Sequence, residues 1–178
     1  MLTSLGELNM KGKNYRVIRG MAYTKKKFIH GSPPPKISKF TMGNTSGNFA
    51  YRALLISLNN VQIRHNALEA ARIAVNKILF DKLGEAGYRL KVVVYPHHIL
   101  RENKMMAFAG ADRLQEGMRR SFGKPVGAAA RVRTGQALIE VCVNENGTET
   151  AKEALQHGAS KLPTKCQIMI EESAKTAA

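Results

Sequence analysis

Hydrophobic positions along this chain change period several times, and each change marks an element. From Phe49 to Leu58 the side chains are apolar and β-prone with Arg52 the only charge, which predicts a strand. Leu68, Ala71, Val75 and Ile78 then recur at steps of three and four, the spacing of one helix face. Asn66 followed by Glu69 has the spacing of a capping box at the helix start, and Gly84 marks its end. Tyr88 to Tyr95 alternates, with Tyr88, Leu90, Val92 and Val94 on one face and Arg89 and Lys91 on the other. That is a half-buried strand, stopped by Pro96. Ala130 to Thr134 and Gln136 to Val143 read as a hairpin about Gly135. Asn146 and Glu149 open a second helix with Ala151, Ala154 and Leu155 inward, closed by Pro163, and Cys166 to Ile170 gives a last strand.

Two stretches lack any period. Residues 1–36 contain Lys25, Lys26 and Lys27 and the triplet Pro33, Pro34, Pro35, which favours extended polyproline geometry; they read as a basic arm lying along a partner. Residues 101–127 mix glycine, proline and six basic side chains and read as one long loop, a length that inside a compact domain is usually functional. The order strand, helix, strand, loop, hairpin, helix, strand predicts an α+β two-layer sandwich, a mostly antiparallel sheet with two helices on one face and a protruding loop. The expected organisation is an arm (1–36), one domain (37–172) and a short tail (173–178).

Composition narrows the class. At 178 residues and 44% hydrophobic, the chain is long and apolar enough to bury a core. No apolar run approaches the roughly 20 residues that span a bilayer, and Met1 to Met10 lacks the basic start and apolar centre of a secretory signal. Cys142 and Cys166 stand far apart and suggest no disulfide framework, which fits a reducing cytoplasm.

Charge changes the picture most. Twenty-eight Lys and Arg face 13 Asp and Glu, a net of +15. Between Glu7 and Glu69 no acid occurs, while 11 basic residues do; from Gly117 to Ile139 a second acid-free stretch carries Arg119, Arg120, Lys124, Arg131 and Arg133. Solvated surfaces normally mix signs, so long single-sign stretches imply a polyanion. A membrane surface calls for basic amphipathic helices, whereas these stretches are rich in glycine and proline and lack a helical period. Nucleic acid is the better partner. Phosphate contacts are expected from the arm through Arg16, Arg19, Lys25, Lys26, Lys27, Lys36 and Lys39, and from Arg131 and Arg133. In the loop, Arg101, Lys104, Arg113, Arg119, Arg120 and Lys124 stand between Gly110, Gly117, Gly123 and Gly127, where glycine lets backbone approach a ligand. Met105, Met106 and Phe108 in the same segment either fill a small core or pack on bases.

Enzyme chemistry finds little support. His97 and His98 have no carboxylate or cysteine at metal-ligand spacing, and neighbouring strand residues point to opposite faces. Gly43-Asn44-Thr45-Ser46-Gly47 lacks the Gly-Lys-Ser/Thr ending of a phosphate loop. Asp112 and Glu116 resemble a nuclease pair only in type, since they sit among arginines that they balance. A free chromatin or RNA-chaperone protein would share the charge, but would not need a long loop framed by a folded sandwich. No cofactor or metal is expected.

At this point several blocks become familiar: Asn103-Lys104-Met105, Ala109-Gly110-Ala111-Asp112-Arg113-Leu114-Gln115, Gly117-Met118-Arg119, Phe122-Gly123-Lys124-Pro125 and Ala130-Arg131-Val132. With Ala22-Tyr23-Thr24, Pro35-Lys36-Ile37, Met42-Gly43-Asn44 and the run from Gln62 through Arg64 to Arg72, they resemble the universal large-subunit ribosomal protein family called L-ten-e in archaea and eukaryotes and L-sixteen in bacteria. The resemblance covers roughly residues 14–170 and is to the archaeal type. It implies an α+β fold with a hammerhead-like β element, seated on large-subunit (23S) rRNA in the cleft where the aminoacyl end of tRNA enters. Arg64 and Lys124 join the arm and strand cations as expected rRNA contacts. The loop bearing Arg101, Lys104, Met105, Gly110, Arg113, Gly117, Arg119 and Arg120 is expected to point toward the peptidyl transferase centre and the tRNA acceptor end. Neighbouring ribosomal proteins and the 5S rRNA region are the other expected partners, with no membrane and no catalysis by the protein.

Overall fold

A computed structural model describes residues 12–103, 119 and 121–172. Eight strands run β1 (Thr41–Gly43), β2 (Tyr51–Ser57), β3 (Val61–Arg64), β4 (Tyr88–Val92), β5 (His98–Glu102), β6 (Lys124–Val132), β7 (Ala137–Val143) and β8 (Cys166–Glu172). Two long helices, α1 (His65–Leu83) and α2 (Thr148–Ala159), interrupt them, and single helical turns occupy Gly12–Tyr15 and Lys26–Phe28. The fold is α+β with antiparallel pairing throughout, in two sheets: β1-β4-β7-β2-β8 and β3-β6-β5.

The alternation seen in the sequence builds the larger sheet. Register sets Leu90, Val141, Ala53 and Ile170 in one row and Val92, Ile139, Leu55 and Ile168 in the next. Rows on one face share a side of the sheet, and these belong to the core with Leu68, Ala71, Val75 and Leu79 of α1 and Ala151, Ala154 and Leu155 of α2. On the opposite face Arg52 and Arg89 both approach the Glu140 carboxylate, at 3.1 and 3.8 Å. The helices pack on each other; α2 covers β2, β7 and β8, while α1 covers β4 and also reaches β3 and β6. Helix α1 is thus the bridge between the sheets.

Three expectations need correction. Residues 130–134 and 136–143 do not form a hairpin: β6 pairs with β3 and β5, β7 with β2 and β4, and the turn at Gly135 (φ 82°) passes the chain between sheets. Both runs are buried strands joined by a tight turn, so local sequence cannot distinguish pairing with each other from pairing elsewhere. The stretch read as a loop over 101–127 has strand at both ends, since Arg101 pairs with Pro125 and Glu102 with Lys124. The small residues of Lys124–Val132 hide that strand, because β-branched side chains are few. Finally, no capping box opens α1. The helix begins at His65, so Asn66 lies inside it and Arg64 takes the capping position without a side-chain bond; the Glu69 carboxylate instead holds Arg72 at 2.7 and 2.8 Å and the Ser38 hydroxyl at 3.1 Å.

Candidate nucleic-acid interface

The arm does not stand free of the domain. Over residues 15–23 its backbone is bonded to the three-stranded sheet, and at Lys36 it is bonded to the first residue of α1. Gln62, on β3 and 4% exposed, donates from Nε2 to the Tyr15 and Val17 carbonyls at 2.7 and 3.0 Å. Its own backbone N–H donates to Arg16 O at 2.8 Å. Arg131, directly across on β6, donates to the carbonyls of Gly20, Arg19 and Met21 at 2.8, 3.3 and 3.0 Å, and to Gln62 Oε1 at 3.2 Å. Further along, the Tyr23 N–H donates to His98 Nδ1 at 2.9 Å, and the Ile99 N–H returns a bond to Tyr23 O. The Lys36 N–H donates to His65 Nδ1 at 3.3 Å. Ile29 and Ile37 are buried.

The arm's cationic side chains face out. Arg16, Arg19, Lys25, Lys26, Lys27, Lys36 and Lys39 are all exposed, as are Arg119, Lys124 and Arg133. Arg64 is half-buried, its guanidinium 5.3 Å from the Tyr15 ring centre. Four cations elsewhere are paired with carboxylates: Arg72 with Glu69, Lys82 with Glu153, and Arg52 and Arg89 with Glu140. No comparable carboxylate serves the arm among the described residues. Met21 and Phe28 lie between the arm cations at 89% and 71% exposure. Composition and spacing alone did not single them out.

At the root of the loop, Arg101 lies over Tyr23 and Phe122, 4.0 and 3.6 Å from the ring centres, and donates to Phe122 O at 2.5 Å. This joins the two ends of the loop to each other and to the arm. Gly123 (φ 78°) makes the approach possible, since a Cβ there would lie 2.7 Å from the Glu102 carbonyl carbon. The register slips by one residue between Leu100 and Arg101, leaving Val126 as the extra residue that re-aims the strand end. The remaining loop positions, Lys104, Met105, Gly110, Arg113, Gly117 and Arg120, together with Met106, Phe108, Asp112 and Glu116, lie outside the described residues.

Two buried histidines serve the arm, and electrostatics keeps them neutral. Burial, with Arg131, His97 and Arg101 nearby, lowers the His98 pKa to about 4. Burial and then Arg64 and Lys36 lower that of His65. A neutral ring offers Nδ1 as the acceptor that both arm N–H groups use. Burial raises both thiols, Cys142 and Cys166, so neither is activated as a nucleophile. The described residues hold no group of three or more His, Cys, Asp or Glu suited to a metal ion, and no described helix is long and apolar enough to cross a membrane.

An arrangement of exposed, unneutralised cations on a fixed backbone can bind phosphate. Residues 18–169 match the family described as ribosomal protein L16p/L10e. The chain is 57% identical over 166 residues to the large ribosomal subunit protein uL16 of Hyperthermus butylicus, covering 92% of each chain. It is 55% identical to that of Staphylothermus marinus, covering 88% of this chain and 90% of the relative. With that of Sulfolobus acidocaldarius the identity is 53%, over 94% and 96%.

Proposed function

The chain belongs to the ribosomal protein L16p/L10e family, and from that membership we infer its work. It is a structural, non-enzymatic constituent of the large ribosomal subunit, of archaeal type, and acts in translation. Its partners are large-subunit rRNA and neighbouring ribosomal proteins, and its place is on the ribosome in the cytoplasm. The rRNA contacts run through Arg16, Arg19, Lys25, Lys26, Lys27, Lys36, Lys39, Arg64, Lys124 and Arg133. The observation that carries this reading is the set of exposed arm cations with no carboxylate against them among the described residues, on an arm whose backbone over residues 15–23 is bonded to the sheet. Phosphate contacts position a protein without reading bases, so specificity comes from RNA shape and from exposed Met21 and Phe28 packing on unstacked bases.

The loop, with Arg101, Lys104, Met105, Gly110, Arg113, Gly117, Arg119 and Arg120, faces the tRNA acceptor end near the peptidyl transferase centre, and the 5S rRNA region borders the protein. Support comes from its root, where paired strands and the Arg101 stack give the loop a firm base. Sucrose-gradient fractionation of a native lysate tests the attachment. Stoichiometric comigration with large subunits, lost on RNase treatment, is expected; protein left at the top of the gradient refutes it. Deleting residues 105–117 tests the division of labour. The variant is expected to join the subunit while impairing tRNA accommodation or final maturation, and failure to join at all would overturn it.

A further inference from the structure

Gln62 and Arg131 face each other across β3 and β6, and between them they bond the carbonyls of Tyr15, Arg16, Val17, Arg19, Gly20 and Met21, six of seven consecutive residues. We infer that Gln62 and Arg131 are positioning residues that seat the basic arm, and that Arg131 acts on RNA through the arm and not by gripping phosphate itself. The inference rests on the rRNA-binding reading above but concerns a step before RNA arrives.

Donor geometry is the argument. A guanidinium has five N–H donors in a planar fork. Four of those in Arg131 are spent inside the protein: one on Gln62 Oε1 and three on arm carbonyls. Both N–H groups of the Gln62 amide are likewise spent on the arm, and its oxygen on Arg131. Gln62 is buried, so a lost partner would leave an unsatisfied polar group away from water. Arg16 and Arg19 show the opposite pattern, with their carbonyls held and their side chains exposed. The pair therefore fixes where the two outward cations stand. An arm ordered in advance does not lose that freedom on binding RNA, which favours affinity. Lysine cannot replace Arg131 here, because one ammonium cannot reach four acceptors spread over the plane of a fork.

The test has two arms on full-length protein. The first needs no RNA: limited trypsin digestion of the free protein, reading cleavage after Arg16 and Arg19, with a thermal melt showing that each variant is folded. Arg131→Lys keeps the charge, and is expected to speed both cuts by about tenfold or more, because cleavage requires the backbone to leave its seat. Gln62→Glu keeps an acceptor for Arg131 but turns a carboxylate oxygen toward the Tyr15 and Val17 carbonyls, and should speed the cut after Arg16. Unchanged cleavage in both folded variants would overturn the seat. The second arm is a double-mutant cycle on binding to transcribed large-subunit rRNA. Arg131→Lys should weaken binding by about tenfold in the wild type but by less than about twofold beside Arg16→Ala and Arg19→Ala, since residues acting through one another are not additive. An equal loss in both backgrounds would make Arg131 a direct phosphate ligand. If the wild type fails to bind rRNA, the functional reading falls, while the digestion still decides the seat.

Discussion

At His98 a ring nitrogen must accept an N–H from Tyr23 while cations stand around the ring. The ring also stacks on Tyr23, with centres 5.7 Å apart. Burial first, then Arg131, His97 and Arg101, bring its pKa from 6.5 to about 4. The unfolded chain therefore takes up a proton as pH falls below about 6.5, while the folded protein stays neutral until about 4. Stability is full above 6.5, declines from there to about 4, and levels off below. The loss attributable to this one group is on the order of 3 kcal/mol. Glu69, lowered chiefly by its bond to Arg72, titrates in the same direction near the acid end, so the measurement must be a difference. Urea unfolding of wild type and His98→Asn at pH 7 and pH 4.5 supplies it. The substituted amide keeps an acceptor near the position of Nδ1 but does not titrate, so the variant's stability should fall less. Equal falls would count against a buried neutral histidine. In the sequence, the adjacent histidines argued against a metal site and read as structural or RNA-facing, without distinguishing one from the other. That His98 holds the arm while His97 is exposed, with its Nδ1 beside Tyr95 O, depends on a contact spanning 75 residues.

Elements were legible where hydrophobic period was strong. The faces of α1, α2 and β4 match the spacing of Leu68, Ala71 and Val75, of Ala151, Ala154 and Leu155, and of Tyr88, Leu90 and Val92. β3 and β5 were missed, and β6 was read only from Ala130 on, because four residues, five residues after a proline, and a run of small side chains carry no clear period. The helix–helix contact was equally hidden. Gly158 is buried on α2 against α1, and a Cβ there would lie 2.5 Å from Val75 Cγ2. Alanine normally favours a helix over glycine by roughly 1 kcal/mol, but overpacking this contact should reverse the sign. Gly158→Ala is expected to destabilise by about 1–3 kcal/mol in chemical denaturation. Adding Val75→Ala should recover part of that loss, if the clash and not the helix backbone is responsible. A stabilised Gly158→Ala protein would show that α1 can move aside.

Across the whole molecule, charge is partitioned. Residues 140–178 carry six acids and four bases, whereas the arm has no acid between Glu7 and Glu69. That asymmetry makes binding to rRNA steeply salt-dependent, and each phosphate contact contributes roughly −0.7 to −0.9 to the slope of log affinity against log salt. Replacing Lys25, Lys26 and Lys27 together by Gln should reduce that slope by roughly 2 to 3 if all three meet phosphate, as read by filter binding between about 50 and 200 mM salt. An unchanged slope would remove the three lysines from the interface. The sequence by itself determined the fold class, the helix faces and the polyanionic partner, because hydrophobic period and charge distribution are local properties of the chain, and the family through the resemblance of particular residue blocks. Tertiary structure decided which sheet each strand joins and which way the arm faces. It also decided which cations remain free: Arg131 and Arg133 stand two residues apart in one strand region and look alike in sequence, yet one guanidinium is turned onto arm carbonyls and the other is exposed. Such differences arise from hydrogen bonds between residues more than a hundred positions apart, and no local pattern encodes them.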